Sequence, residues 1–83
     1  MTYRARLELL VLRQMTGLPD TAFDTLVRAL ARICENPYDR LFSMPARDDP
    51  RERMAELSDS GFIMFVIDDA EGLIRVYDMI WVG

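Results

Sequence analysis

The sequence predicts a small α+β fold in which an antiparallel β-meander carries a helical pair on one face. Three observations predict it. Two apolar runs, residues 62–67 and 73–82, flank the turn-like Asp68-Asp69-Ala70-Glu71-Gly72, which is a β-hairpin pattern. Phe23, Leu26, Val27, Leu30, Ile33 and Cys34 recur at intervals of three and four, forming one helical stripe. Residues 2–8 alternate, with Tyr3, Ala5 and Leu7 on one side and Arg4, Arg6 and Glu8 on the other, as a strand with one solvated face does. At 83 residues the chain is expected to form one domain, residues 1–83, near the lower limit for a self-sufficient core.

Each element follows from its residues. The alternation of 2–8 gives a first strand, and the helix formers of 9–15 give a short helix ending near Gly17. One continuous helix over 4–15 stays open as a competitor. Leu18-Pro19-Asp20-Thr21 starts the long helix, with Asp20 or Thr21 as cap and Asp24 three residues beyond Thr21. Asn36-Pro37 stops it, because a residue before proline is pushed out of the α region. Residues 41–50, broken by Met44-Pro45 and Asp48-Asp49-Pro50, are expected to be loop. Residues 51–57 have good helix propensity, yet Ser58-Asp59-Ser60-Gly61 before Phe62 reads as a hairpin turn, so 51–57 are assigned to a strand. The predicted order is β-α-α-β-β-β, with the last two strands central because both of their faces are apolar. In the turn between them, Asp bonds its own backbone and Gly accepts a positive φ.

Composition removes whole classes of chemistry. All ten basic residues are Arg, and there is neither Lys nor His. A His general base, a Ser-His triad, a His-ligated zinc site and a Lys Schiff base are therefore excluded. The single cysteine, Cys34, has no internal disulfide partner and falls on the apolar helix stripe, as a buried structural thiol does. Charges interrupt the first residues where a signal peptide needs an apolar stretch, and no apolar run reaches membrane-helix length. The protein is expected to be soluble and cytoplasmic.

The Leu-Pro-Asp helix entry, the helix-ending Asn-Pro, the Ser-Gly-Phe hairpin, its acidic turn and the Ile-x-Val strand together resemble the RelE/ParE toxins of type II toxin–antitoxin systems. The likeness spans nearly the whole chain. It implies a RelE-like domain acting as a ribosome-dependent mRNA endoribonuclease, with an antitoxin protein as partner and no metal or cofactor. In that chemistry a ribose 2′-hydroxyl attacks its own 3′-phosphate, and the protein orients groups, moves protons and stabilises phosphate charge. Family enzymes place basic residues on the second strand, at the start of the third and just after the last. The matching residues here are Arg51 and Arg53, two apart and so on one face of a strand, as a catalytic phosphate clamp, with Arg47 in the preceding loop as an RNA contact. Tyr77, as a phenol near phosphate, and Glu56, as a base, are weaker candidates beside readings as core and surface residues.

The chain departs from the family pattern in two places. The strand after Gly61 reads Phe62-Ile63-Met64 where the family opens aromatic-Arg, and the basic residue after the last strand would lie past Gly83. Residues 1–40 carry a net +1 and residues 41–83 a net −5, so the second half is a poor general RNA binder. A catalytically degenerate RelE-fold protein acting as a protein-binding module is therefore an alternative, and a gyrase-poisoning ParE-like toxin a lesser one. Partner binding has its own signal. Leu9-Leu10-Val11-Leu12 presents four consecutive aliphatics, and Trp81 with Met79 and Val82 adds apolar area near the chain end. Leu9, Leu10, Leu12 and Trp81 are expected to contact an antitoxin or, alternatively, a second copy in a homodimer.

Overall fold

The computed structural model describes residues 2–58 and 61–82. The elements run β1 (Arg4–Leu7), α1 (Leu9–Met15), α2 (Asp20–Glu35), β2 (Met44–Pro45), β3 (Glu52–Glu56), β4 (Gly61–Asp68) and β5 (Leu73–Trp81). They form one five-stranded sheet in the order β1-β5-β4-β3-β2. The predicted α+β class and helical pair are present, and β4 and β5 occupy interior positions as their two apolar faces require. Two features differ from expectation. β1 pairs parallel with β5, so the sheet is mixed rather than a pure antiparallel meander. Met44–Pro45, inside the expected loop, pairs with β3 as a two-residue edge strand; its proline sits where edge strands tolerate one.

The α2 start also moves. Pro19 rather than Asp20 or Thr21 is the N-cap, without a side-chain cap bond. Asp20 becomes the first helical residue, where a carboxylate complements the helix dipole. At the far end Asn36 caps the helix before Pro37, as expected. In the β4–β5 turn, Asp68 Oδ1 accepts the Glu71 N–H at 3.0 Å, and Gly72 has φ +65°.

The core lies between the helices and one face of the sheet. Val11, Leu26 and Ile33 come from the helices, and Ala55, Leu57, Ile63, Phe65, Ile67, Ile74, Val76 and Met79 from the strands and their flanks. Strand alternation leaves Glu52, Met54, Met64, Val66, Arg75 and Tyr77 on the other, helix-free face. A bulge opposite Met64/Phe65 pairs Met64 with Asp78 but Phe65 with Val76. Tyr77 and Asp78 therefore stay off the core face, and Met79 returns to it, 3% exposed. Met79 thus adds nothing to the exposed apolar surface expected near the chain end. Cys34 is half-buried against the core, where desolvation pushes its thiol pKa up.

Candidate functional site

The helix-free face of the sheet is crossed by a row of charge. Arg6 on β1 is the Cα partner of Arg75 on β5, Arg75 that of Val66 on β4, and Val66 that of Glu52 on β3. At the β3 end of the row, Tyr77 Oη donates to Glu52 Oε1 at 3.3 Å. Arg47 Nε lies 3.6 Å from Glu52 Oε2. A carboxylate and a phenol thus meet on a half-buried spot, with the largely exposed Arg47 guanidinium reaching Glu52 from the solvent side. Burial and the adjacent Glu52 carboxylate raise the Tyr77 pKa, so its phenol holds its proton and orients Glu52. Sequence reasoning singled out Tyr77 and Arg47 but not Glu52, whose neighbours on this face come from β4 and β5.

Arg51 and Arg53 are placed differently from each other. Arg51 lies just before β3 and is exposed. Its guanidinium forks onto Asp49, Nε to Oδ1 at 3.3 Å and Nη2 to Oδ2 at 3.2 Å, which holds the Asp49 carboxyl below its ordinary range. Arg53 is only 3% exposed. It keeps the parity of Ala55 and Leu57 and points to the helix side, where residues 38–43 close over it. Its Nε donates to Ser43 Oγ at 2.7 Å, Nη2 to the Ser43 carbonyl at 3.0 Å and Nη1 to the Pro50 carbonyl at 3.1 Å. The Tyr38 ring lies 5.7 Å from the guanidinium carbon, a cation–π distance. The structure therefore does not bring Arg51 and Arg53 together as a pair of free guanidiniums.

A second polar cluster ties three distant segments. Tyr3 Oη and Tyr38 Oη donate to the two carboxylate oxygens of Asp69 at 2.6 and 2.7 Å. Those phenols stabilise the charged carboxylate and depress the Asp69 pKa. In return, desolvation and then the Asp69 hydrogen bond push Tyr38 up to about 12. This clamp fixes the β4–β5 turn against the start of β1 and the segment after α2. Beside it runs a groove of about 530 Å³, lined by Arg51, Arg75, Val66, Asp49, Asp68 and Asp69.

The expected partner residues divide. Leu9, Leu10 and Leu12 are 62%, 55% and 45% exposed, while Val11 between them is fully buried. Trp81 is half-buried against the core. Its indole N–H and Gln14 Oε1 are both buried without a partner among the described residues, and both side chains line one cavity of about 270 Å³. Glu56 is exposed at the end of β3.

Comparison with solved structures supplies the frame for these residues. An Escherichia coli toxin RelE mutant in complex with a RelBc antitoxin peptide superposes with a TM-score of 0.83 at 18% identity, over 100% of this chain and 86% of that one. The fold is that of the RelE toxins. The toxin–antitoxin complex RelBE2 from Mycobacterium tuberculosis gives a TM-score of 0.81 at 17% identity, over 98% of this chain and 99% of that one. The archaeal RelE–RelB complex from Pyrococcus horikoshii gives 0.78 at 17% identity, over 100% and 98%. No family model and no curated protein matches the sequence.

Proposed function

We propose that the chain is a RelE-like toxin that cleaves mRNA presented by the ribosome to the helix-free face of its sheet, and that a protein antitoxin restrains it. The observation that carries this reading is the superposition on RelE toxins over 98–100% of the chain. The Glu52 cluster gives it a chemistry. Glu52 takes the proton of the ribose 2′-hydroxyl as that oxygen attacks the adjacent phosphorus. The bond to the 5′-oxygen breaks, that oxygen gains a proton from water, and a cyclic phosphate with a free 5′-hydroxyl results. Arg47, its guanidinium already at Glu52, stabilises charge on the phosphate oxygens. Tyr77 positions Glu52. Arg51 stands at the groove as a further phosphate contact, and Arg53 ties residues 38–43 to the β2–β3 loop through Ser43 and Pro50. The exposed Leu9, Leu10 and Leu12 suit an apolar face of the antitoxin. The site of action is the cytoplasm, where ribosomes translate.

One observation favours a second reading, a binding module without chemistry. Arg53 is buried, Arg51 is held by Asp49, and Met54, Phe62 and Met64 leave β3 and the start of β4 without a free cation. Tightly induced expression in a bacterial host, with primer extension on a translated mRNA, separates the two. The first reading predicts growth arrest and new cut sites, both lost in Glu52→Gln with Arg47→Gln at unchanged protein level. Normal growth with intact message, soluble protein being present, would establish the second.

A further inference from the structure

At the edge of the helix-free face opposite Glu52, β1 and β5 assemble three arginines without an ion pair among the described residues. Tyr3 and Leu7 pack against the core, so alternation places Arg4 and Arg6 on the helix-free side. Arg6 is the Cα partner of Arg75, and Arg4 that of Leu73. Arg4 and Arg6 are therefore about 6.6 Å apart along one strand, and Arg75 is about 4.8 Å across from Arg6 on the next. All three side chains are exposed. Arg28, Arg47 and Arg51 each sit on a carboxylate. Arg4, Arg6 and Arg75, like the more scattered Arg13, Arg32, Arg40 and Arg53, have no ion pair among the described residues, and what sets the three apart is that they share one sheet face.

That arrangement is costly to the fold taken alone. Like charges directly opposite one another across strands repel, and this chain, at net −4, has acids to spare for neutralising them. Glu8, on the same side of the chain as Arg4 and Arg6, forms no ion pair with them, and three other neighbouring carboxylates are engaged elsewhere. Asp69 holds Tyr3 and Tyr38, Asp49 holds Arg51, and Asp68, across Leu73 from Arg4, accepts the Glu71 N–H. An anion arriving from outside would relieve the repulsion.

We propose that Arg4, Arg6 and Arg75 form a binding tract for the phosphodiester backbone of single-stranded RNA. The guanidinium fork matches phosphate oxygens bidentately. Beside the tract, Val66 and Tyr77 floor the sheet with apolar and aromatic surface on which unstacked bases rest, a feature that an acidic peptide would not need. Arg75 also lines, with Arg51 and the acidic Asp49, Asp68 and Asp69, the groove beside Val66, and β4 alone separates its strand from the β3 that carries Glu52. The inference rests on the reading of the chain as RNA-directed, and it adds a surface that would hold the strand beside the reacting bond.

The test is fluorescence anisotropy of a labelled oligouridylate with the purified full chain across a salt series, with no ribosome and no cleavage readout. For single strands the slope of log affinity against log salt is about 0.7 per phosphate neutralised, so the variant Arg4→Gln/Arg6→Gln/Arg75→Gln should flatten the slope by about 2. It should also weaken binding at low salt by tenfold or more. The matching Arg→Lys variant should keep the slope, and Arg13→Gln/Arg32→Gln on the helices should leave it unchanged. Absence of wild-type binding, an unchanged slope in the triple variant, or an equal loss in the helix variant would each overturn the tract. So would polyglutamate binding wild type with the same arginine dependence where RNA does not. RNA binding without growth arrest would fault the toxin reading alone, and arrest without arginine-dependent binding would fault the tract alone.

Discussion

Replacing Arg53 tests whether this guanidinium is a strut or a ligand contact. Its three hydrogen bonds go to neutral oxygens, two of them on the buried Ser43. Hydrogen bonds to a charged group are worth about 1.5–3 kcal/mol each, which sets a gross gain of several kcal/mol. Removing the charge from water costs a comparable amount, and burial indeed lowers the Arg53 pKa. In Arg53→Met the desolvation cost disappears with the charge. The Ser43 carbonyl then lies orphaned, at about 1–3 kcal/mol, and the contact with Tyr38 is lost. A net loss of about 2 kcal/mol follows, or a Tm lower by about 8–16 °C in a domain of this size. Arg53→Lys should be at least as damaging, because an ammonium keeps the desolvation cost without a fork that spans Ser43 and Pro50. Thermal unfolding followed by circular dichroism measures both. A surface phosphate contact would behave in the opposite way, with lysine conservative and neither variant moving Tm by more than a few degrees; that result would refute the strut.

Three further outcomes are expected. The Asp69 carboxylate has a depressed folded pKa, so its clamp stabilises above the unfolded value near 4 and is lost as pH falls below it; Tyr38, raised to about 12, adds stability that is complete below pH 10 and lost as pH rises toward 12. Tyr38→Phe should therefore lower Tm at pH 7 and approach wild type in acid, and a constant difference from pH 2 to 7 would contradict the clamp. Leu9→Glu/Leu12→Glu should change stability by no more than about 0.5 kcal/mol per site while weakening capture of a cognate antitoxin, whereas Val11→Ala should destabilise by about 1–3 kcal/mol; calorimetry and pull-down against the co-expressed partner check both. A Cβ on Gly61 would strike the Ile80 carbonyl across the β4–β5 pair, so Gly61→Ala should cost about 1–3 kcal/mol in chemical denaturation.

Local chemistry made much of this fold legible. The Asp68 and Gly72 turn behaves as its residue types require, the alternating stretch 2–8 contains β1, and 51–57 contain β3, held as a strand by its pairing with β4 despite helix propensity. The turn expected over Ser58–Gly61 includes residues 59 and 60, which lie outside the described residues. Long-range pairing was not legible. Nothing in Arg4–Leu7 says that β1 runs parallel to β5, and Met44–Pro45 is a strand only because β3 lies beside it. The site divided in the same way. Parity put Arg51 and Arg53 on one side of β3, but only the fold shows that residues 38–43 cover Arg53. Glu52 looked like one member of a charged run, and its meeting with Tyr77, 25 residues on, depends on sheet register. The Arg6–Arg75 pairing depends on the same unread β1–β5 contact.

The central claim, a RelE-like toxin whose helix-free sheet face cuts RNA, is tested most directly with purified protein on programmed ribosomes. The 5′ ends of the message would be mapped for wild type and for Glu52→Gln, with melting curves recorded for both. The account predicts discrete cuts in the translated message with wild type and their loss in a Glu52→Gln protein that melts like wild type. Intact message with both proteins, or equal cutting by both, would contradict it.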